Sequence, residues 1–297
     1  VNLIIGANGF IGQHLHEYFR DNQEPVHGTF FPASAGDSHL SFFDVTKPLA
    51  DQLKHVPPFQ RVFLCLQQGT LDDCKRSPTS TSAINVRGLI RLLKYLQQHG
   101  GQPIYLSSNV VFAGRHARYH EQSRLNPNTE YGRQKAAVEK YIRRHFRQYC
   151  IARLTKVYNT DATDTYLFYQ WLQLLRRGRS IRAVTDQVIS PIWVTDVARS
   201  LSLLDPTEQP GIYHFTGPDS GSPADYAERL ARHFHLNTGL IEKRVSKDFT
   251  WLEERPRWQV LDDRATRRRL PVRPATIESA FAQQSYASQV PHDMLLT

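Results

Sequence analysis

Tyr131 and Lys135 stand four residues apart in a stretch of helical pattern, where that spacing puts both side chains on one face. The pair has a chemical use. A phenol with its ordinary pKa of about 10 is a poor acid–base group at neutral pH, and a neighbouring ammonium stabilises the phenolate and moves it toward the working range. Tyrosine and lysine meet at this spacing by chance in many helices, so the weight rests on what accompanies them. Upstream, Leu106-Ser107-Ser108 closes an apolar run and enters a loop. There the Ser108 hydroxyl is expected at the carboxyl edge of a sheet, holding a substrate oxygen alongside Tyr131. A serine can also simply end a strand, and Ser107 is the weaker partner because its side chain points to the opposite face.

A third motif lies at the start of the chain. Gly6-Ala7-Asn8-Gly9-Phe10-Ile11-Gly12 follows an apolar strand and opens a helix. Gly6 permits the tight turn, Gly9 lets backbone N–H groups approach a pyrophosphate, and Gly12 lets helix pack closely on strand. Three glycines alone make only a turn, but strand before and helix after is the context dinucleotide binding requires. The cofactor contacts expected on this reading are Gly6, Asn8, Gly9, Phe10, Ile11 and Gly12, then Asp44, Val45 and Leu66 after later strands, with Tyr131 and Lys135 at the nicotinamide ribose.

The elements that position these residues alternate. Strand patterns at residues 2–6, 26–31, 39–44, 61–66, 104–106 and 150–154 are separated by helical patterns at 10–21, 46–54, from 82 to Gly100-Gly101, and 130–148. Such alternation predicts βαβ units: an α/β, Rossmann-type, doubly wound parallel sheet. Beyond about residue 155 the regularity loosens, with helices expected at 167–177, 194–204 and 224–235 between Pro- and Gly-containing loops. The expected division is therefore 1–155 for the NAD(P)-binding part and 156–297 for a smaller substrate-binding part, interleaved with the first.

Bulk properties exclude several classes. The 297 residues are 40% apolar, enough for a full core, and no apolar run is long enough for a transmembrane helix. The net charge of +9 comes from arginines scattered over amphipathic helices rather than clustered with aromatics, so neither nucleic acid nor membrane is an expected partner. Cys65, Cys74 and Cys150 form no CxxC and leave an odd thiol, and the opening residues read as a strand rather than a leader; a cytoplasmic location is expected. No HExxH occurs among the histidines, so no metal is expected.

Taken together these motifs resemble the extended short-chain dehydrogenases/reductases, in particular the dTDP-4-dehydrorhamnose reductase branch. The resemblance rests on the GxxGxxG turn, Ser107-Ser108-Asn109-Val110-Val111-Phe112-Ala113-Gly114, Glu121, Pro127, Tyr131-Gly132 with Lys135 and Glu139, Arg153-Leu154-Thr155, Asp186-Gln187 with Ser190-Pro191, Tyr213-His214, and Arg255-Pro256 with Leu261-Asp262. It implies a nicotinamide-dependent reductase of a keto group on a nucleotide-linked sugar, with Ser108, Tyr131 and Lys135 catalytic and Asn109, Lys156 and Gln187 at the substrate. It also implies Asp44 at the adenine amine, and a homodimer is an admissible assembly. The chain departs from the family around the sugar: Asn109 and Val110 replace Asp and Tyr, Val157 replaces Trp, and Lys156 replaces a small residue. Two other readings stay open: an epimerase that keeps its cofactor bound, and a non-catalytic subunit that retains the fold. For the cofactor, the second strand ends Thr29-Phe30-Phe31-Pro32 without the acid an NAD enzyme uses or the arginine an NADP enzyme uses. Dual use with a modest NADP preference is expected, Ser34 and Ser38 offering hydroxyls.

Overall fold

The computed structural model describes residues 1–31, 40–160 and 167–283. Seven strands form one parallel sheet: β1 (Asn2–Ile5), β2 (Val26–Phe30), β3 (Leu40–Phe42), β4 (Arg61–Leu64), β5 (Gln102–Ser108), β6 (Cys150–Leu154) and β7 (Gly211–Phe215). Their order is β7-β6-β5-β4-β1-β2-β3. The chain winds outward from β1 to β3, then returns to β4 beside β1 and winds outward the other way. That reversal opens a crevice above the carboxyl ends of β1 and β4, the place where doubly wound sheets bind ligands.

Period-two alternation divides the strand side chains between two cores. Ile4, Phe63, Ile104 and Ala152 face one side, against Leu15 and Phe19 of the helix Phe10–Asp21 and Val197 and Leu201 of the helix Val194–Ser202. Leu3, Ile5, Val62, Leu64, Tyr105 and Ile151 face the other, against Leu89, Leu92, Leu93 and Leu96 of the helix Leu89–Gln98 and Val138 and Ile142 of the helix Glu130–His145. Burial on both faces explains why these strands read as continuous apolar runs. A third core, with Phe168, Trp171, Tyr226 and Phe281, lies under the C-terminal part.

Element boundaries moved where local chemistry overrode periodicity. The helix expected over 46–54 spans only Leu49–Leu53, because Pro48 precedes it and Asp44 folds back to accept from Thr46 N (2.8 Å) and Thr46 Oγ1 (2.6 Å). The helix from Glu130 stops at His145, where Phe146 turns extended and packs into the core rather than continuing to 148. The sheet also takes β7 from the second half of the chain, hydrogen-bonded along β6 from Gly211↔Cys150 to Phe215↔Leu154.

Candidate active site

The turn after β1 has the geometry its glycines suggest. Gly6 has φ +88°, Gly9 N donates to Gly6 O at 3.1 Å, and Gly6 N donates to Thr29 Oγ1 at 3.1 Å. A Cβ on Gly12 would lie 2.1 Å from Gly6 O, so only glycine lets the helix start this close to the strand. Gly9 stands at the helix N-cap without a side-chain cap, leaving the first-turn N–H groups aimed at the crevice. These features fit a pyrophosphate. Asn8 bridges to the end of β2, its Nδ2 donating to Phe31 O (3.3 Å) and its Oδ1 accepting from Phe31 N (3.4 Å).

From this turn a cleft of ≈ 810 Å³ runs across the carboxyl ends of the strands. Gly9, Phe10 and Ile11 line it at one end, with Ser108, Asn109, Tyr131, Lys135, Lys156 and Gln187 farther along. Gly6 and Gly12 shape the turn beneath. Asp44, Val45 and Leu66 follow β3 and β4 without lining the cleft; Asp44 turns its carboxylate to Thr46, and Val45 is in the core. Ser34 and Ser38 lie outside the described residues.

Two devices fix the start of the Tyr131 helix. Thr129 caps the Tyr131 helix by accepting from Gly132 N at 3.1 Å, and Glu253 Oε2 accepts from Glu130 N at 2.6 Å. Gly132 then packs so tightly on the loop after β5 that a Cβ there would lie 2.1 Å from Val110 O. The Ser108 hydroxyl is half-buried, donating to Asn109 Oδ1 (3.2 Å) and accepting from Val110 N (3.4 Å).

Lys135 departs from expectation in one respect. Its ammonium, 5% exposed, donates to Leu106 O at 2.8 Å and lies 5.7 Å from the centre of the Tyr131 ring, not on the hydroxyl. Burial brings its pKa down to about 8, against the nearby Cys65, Cys74 and Glu139, which favour its charge. Burial, with Cys74 adding to it, raises the Tyr131 phenol above its usual value, so the expected lowering is absent from the protein alone. Desolvation outweighs a cation that is not in contact with the oxygen.

Behind this wall lies a buried ion pair. Arg153 and Glu139, both 0% exposed, meet at 2.7 Å between Arg153 Nη2 and Glu139 Oε2. Ser107 Oγ donates to Glu139 Oε1 at 2.5 Å, so Ser107 is turned to this pair. Arg153 Nη1 donates to Glu121 O at 3.1 Å and to His214 Nε2 at 3.2 Å, while His214 Nδ1 donates to Asp262 O at 2.9 Å. Burial, then the Arg153 charge, lowers His214 to about 3. The Ser107 side chain points to the opposite face from Ser108, as alternation predicts; Glu139, Arg153 and His214 entered the sequence reading through the family resemblance, and their mutual contact was missed.

The opposite wall was missed as well. Trp171, Arg182, Phe249, Trp251, Arg255 and Gln259 line the cleft from the C-terminal part. Phe249 and Trp251 stack at 5.1 Å, with Arg182 5.4 Å from the Phe249 ring and Arg255 5.5 Å from the Trp251 ring. Only Arg255-Pro256 carried a sequence signal. Gln187 Nε2 donates to Ser246 Oγ at 3.1 Å. Among the described residues no cluster of His, Cys, Asp and Glu is arranged to hold a metal, and no helix is long and apolar enough to cross a membrane.

Comparison with known proteins places this cleft in context. The RmlD substrate binding domain family matches residues 2–288. The chain is 27% identical over 266 residues to the probable low-salt glycan biosynthesis reductase Agl14 of Haloferax volcanii, covering 87% of this chain and 88% of that one. It is 25% identical over 275 residues to the dTDP-4-dehydrorhamnose reductase of Aggregatibacter actinomycetemcomitans, covering 88% and 90%. It is also 26% identical over 249 residues to methionine adenosyltransferase 2 subunit beta of Xenopus tropicalis, covering 79% and 72%. The crystal structure of dTDP-4-dehydrorhamnose reductase from Bacillus anthracis in complex with NADP shares the fold, with a TM-score of 0.83 at 21% identity over 95% of this chain and 97% of that one. With a family model spanning nearly its whole length, the chain belongs to the RmlD family, the dTDP-4-dehydrorhamnose reductase-like branch of the extended short-chain NAD(P)-dependent oxidoreductases.

Proposed function

We propose that this protein reduces a keto group on a nucleotide-linked sugar, with Tyr131 as proton donor. The observation that carries the reading is the gathering of Ser108, Tyr131 and Lys135 along one cleft that begins at the Gly6–Gly12 turn. The nicotinamide dinucleotide supplies the hydride when bound. Gly9, Phe10 and Ile11 hold its pyrophosphate at the helix N-terminus, and Lys135 holds the nicotinamide ribose. Ser108 donates to the substrate carbonyl oxygen, fixing it beside the Tyr131 hydroxyl, and Tyr131 gives that oxygen its proton as negative charge develops there. Giving up that proton leaves a phenolate, which must be reprotonated before the next turnover. Lys135, its pKa near 8, is largely protonated at neutral pH and serves as the proton source, itself recharged from solvent. On this reading residues 1–155 carry the cofactor and the part from 156 onward carries the sugar nucleotide, although β7 returns to complete the sheet.

Tyr131→Phe tests the assignment. Turnover of 4-keto nucleotide sugars, followed by NADPH absorbance, is expected to fall by ~10²–10⁴-fold with cofactor affinity unchanged. A variant keeping more than a tenth of the wild-type rate removes Tyr131 from the mechanism. For the cofactor, Phe31 stands where an acid would repel a 2′-phosphate, and a preference for NADPH on the order of tenfold in kcat/KM is expected. A tenfold preference for NADH overturns that part.

The relative named as the beta subunit of methionine adenosyltransferase 2 favours a second reading, a regulatory subunit that keeps the cleft. Cofactor binding without turnover on any 4-keto nucleotide sugar would support it over the first.

A further inference from the structure

Two cations in the cleft lack a full set of partners. The Lys156 ammonium lines the cleft and has no hydrogen bond or ion pair among the described residues. Arg255 directs Nη2 to Asp72 Oδ2 at 2.9 Å, but its Nη1 is buried with no partner. Lys156 is exposed along the cleft, and desolvation by the surrounding wall, then the charge of Arg255, makes it release its proton more readily than a free lysine does. Two like charges along one wall repel, and a buried N–H without an acceptor is unfavourable. One anionic group received by both removes both penalties.

The fold says which end of the cleft this is. Leu154 of β6 pairs in register with Ser108 of β5, and Lys156 is two residues beyond Leu154. Arg255 is two residues beyond Glu253, whose carboxylate caps the first turn of the Tyr131 helix. Both cations therefore border the corner that holds Ser108 and Tyr131. A different cation, Arg182, sits on the other ring of the Phe249–Trp251 stack and is available to a diphosphate. We propose that the sugar this cleft accepts carries a carboxylate, recognised by Lys156 together with Nη1 of Arg255; this rests on the nucleotide-sugar reading above.

Anionic oxygens reach such a site from two parts of the substrate, the diphosphate or an acid on the sugar, and calorimetry separates them. The full chain saturated with NADP⁺ is titrated with UDP, UDP-glucose and UDP-glucuronate, and with the matching thymidine nucleotides. Wild type is expected to bind the glucuronate on the order of tenfold tighter than the glucose form, the scale of one charge-assisted hydrogen bond. In Lys156→Met and Lys156→Gln that ratio falls below twofold, and in Lys156→Arg it stays above threefold. NADP⁺ affinity reports that each variant is folded. A ratio near one in wild type, or one untouched in both neutral variants, overturns the proposal. So does an equal weakening of UDP and both sugars, which would make the diphosphate the anion. Failure of every sugar nucleotide to bind while NADP⁺ still binds overturns the nucleotide-sugar reading itself, and the carboxylate with it.

Discussion

Replacing Gly132 by alanine perturbs the site without touching a reacting group. The added Cβ would lie 2.1 Å from Val110 O, and 2.9 Å from both Pro127 Cβ and Thr129 Oγ1. The Val110 carbonyl belongs to the turn Asn109–Val111 that starts directly after Ser108, and Thr129 caps the helix. The Val110 carbonyl is backbone and cannot rotate away, and the Thr129 hydroxyl can do so only by giving up the cap on Gly132 N. An ordinary carbon–oxygen contact is about 3.3 Å, so the first turn of the Tyr131 helix must retreat by roughly 1 Å. That retreat widens the gap between the Ser108 and Tyr131 hydroxyls, and a misplacement of about 1 Å costs ~10²-fold in rate. Overpacking of this kind also costs about 1–3 kcal/mol of stability. The assay is kcat/KM for NADPH-dependent reduction of 4-keto nucleotide sugars, beside urea unfolding of the same preparation. A Gly132→Ala enzyme within threefold of wild-type kcat/KM and equally stable would refute the claim that this contact sets the distance between the two hydroxyls.

Two further predictions concern the buried network. Glu139→Gln leaves the Arg153 guanidinium buried without its counter-charge and is expected to cost about 3–5 kcal/mol in urea unfolding; a loss under 1 kcal/mol would show the pair contributes little. Burial and the Arg153 charge hold the His214 imidazole down at about 3 in the folded protein, against the ordinary 6.5 in the unfolded chain, so between those values the unfolded chain takes up a proton that the folded chain does not. Stability is therefore whole above pH 6.5 and falls as the pH drops toward 3, by about 1.4 kcal/mol per unit from this group. His214→Gln should flatten that acid limb, and an unchanged slope would remove His214 as its cause.

The sequence by itself determined what depends on local spacing. Gly6, Gly9 and Gly12 specify a turn and a close helix start because their effects act over a few residues. The apolar runs at β4 and β6 specify buried parallel strands, and Tyr131 with Lys135 specifies one face of one helix. Tertiary structure decided whatever depends on the distance between segments far apart in the chain. It joined β7 to β6 and turned Ser107 to Glu139. It gave Lys135 the Leu106 carbonyl in place of the Tyr131 hydroxyl. It also brought Trp251 and Arg255 over the cleft, anchored through Asp72 and the first turn of the Tyr131 helix. Periodicity encodes which face of an element is buried, whereas the partner met at that face, and the desolvation that sets a buried group's pKa, come into being only when the layers pack.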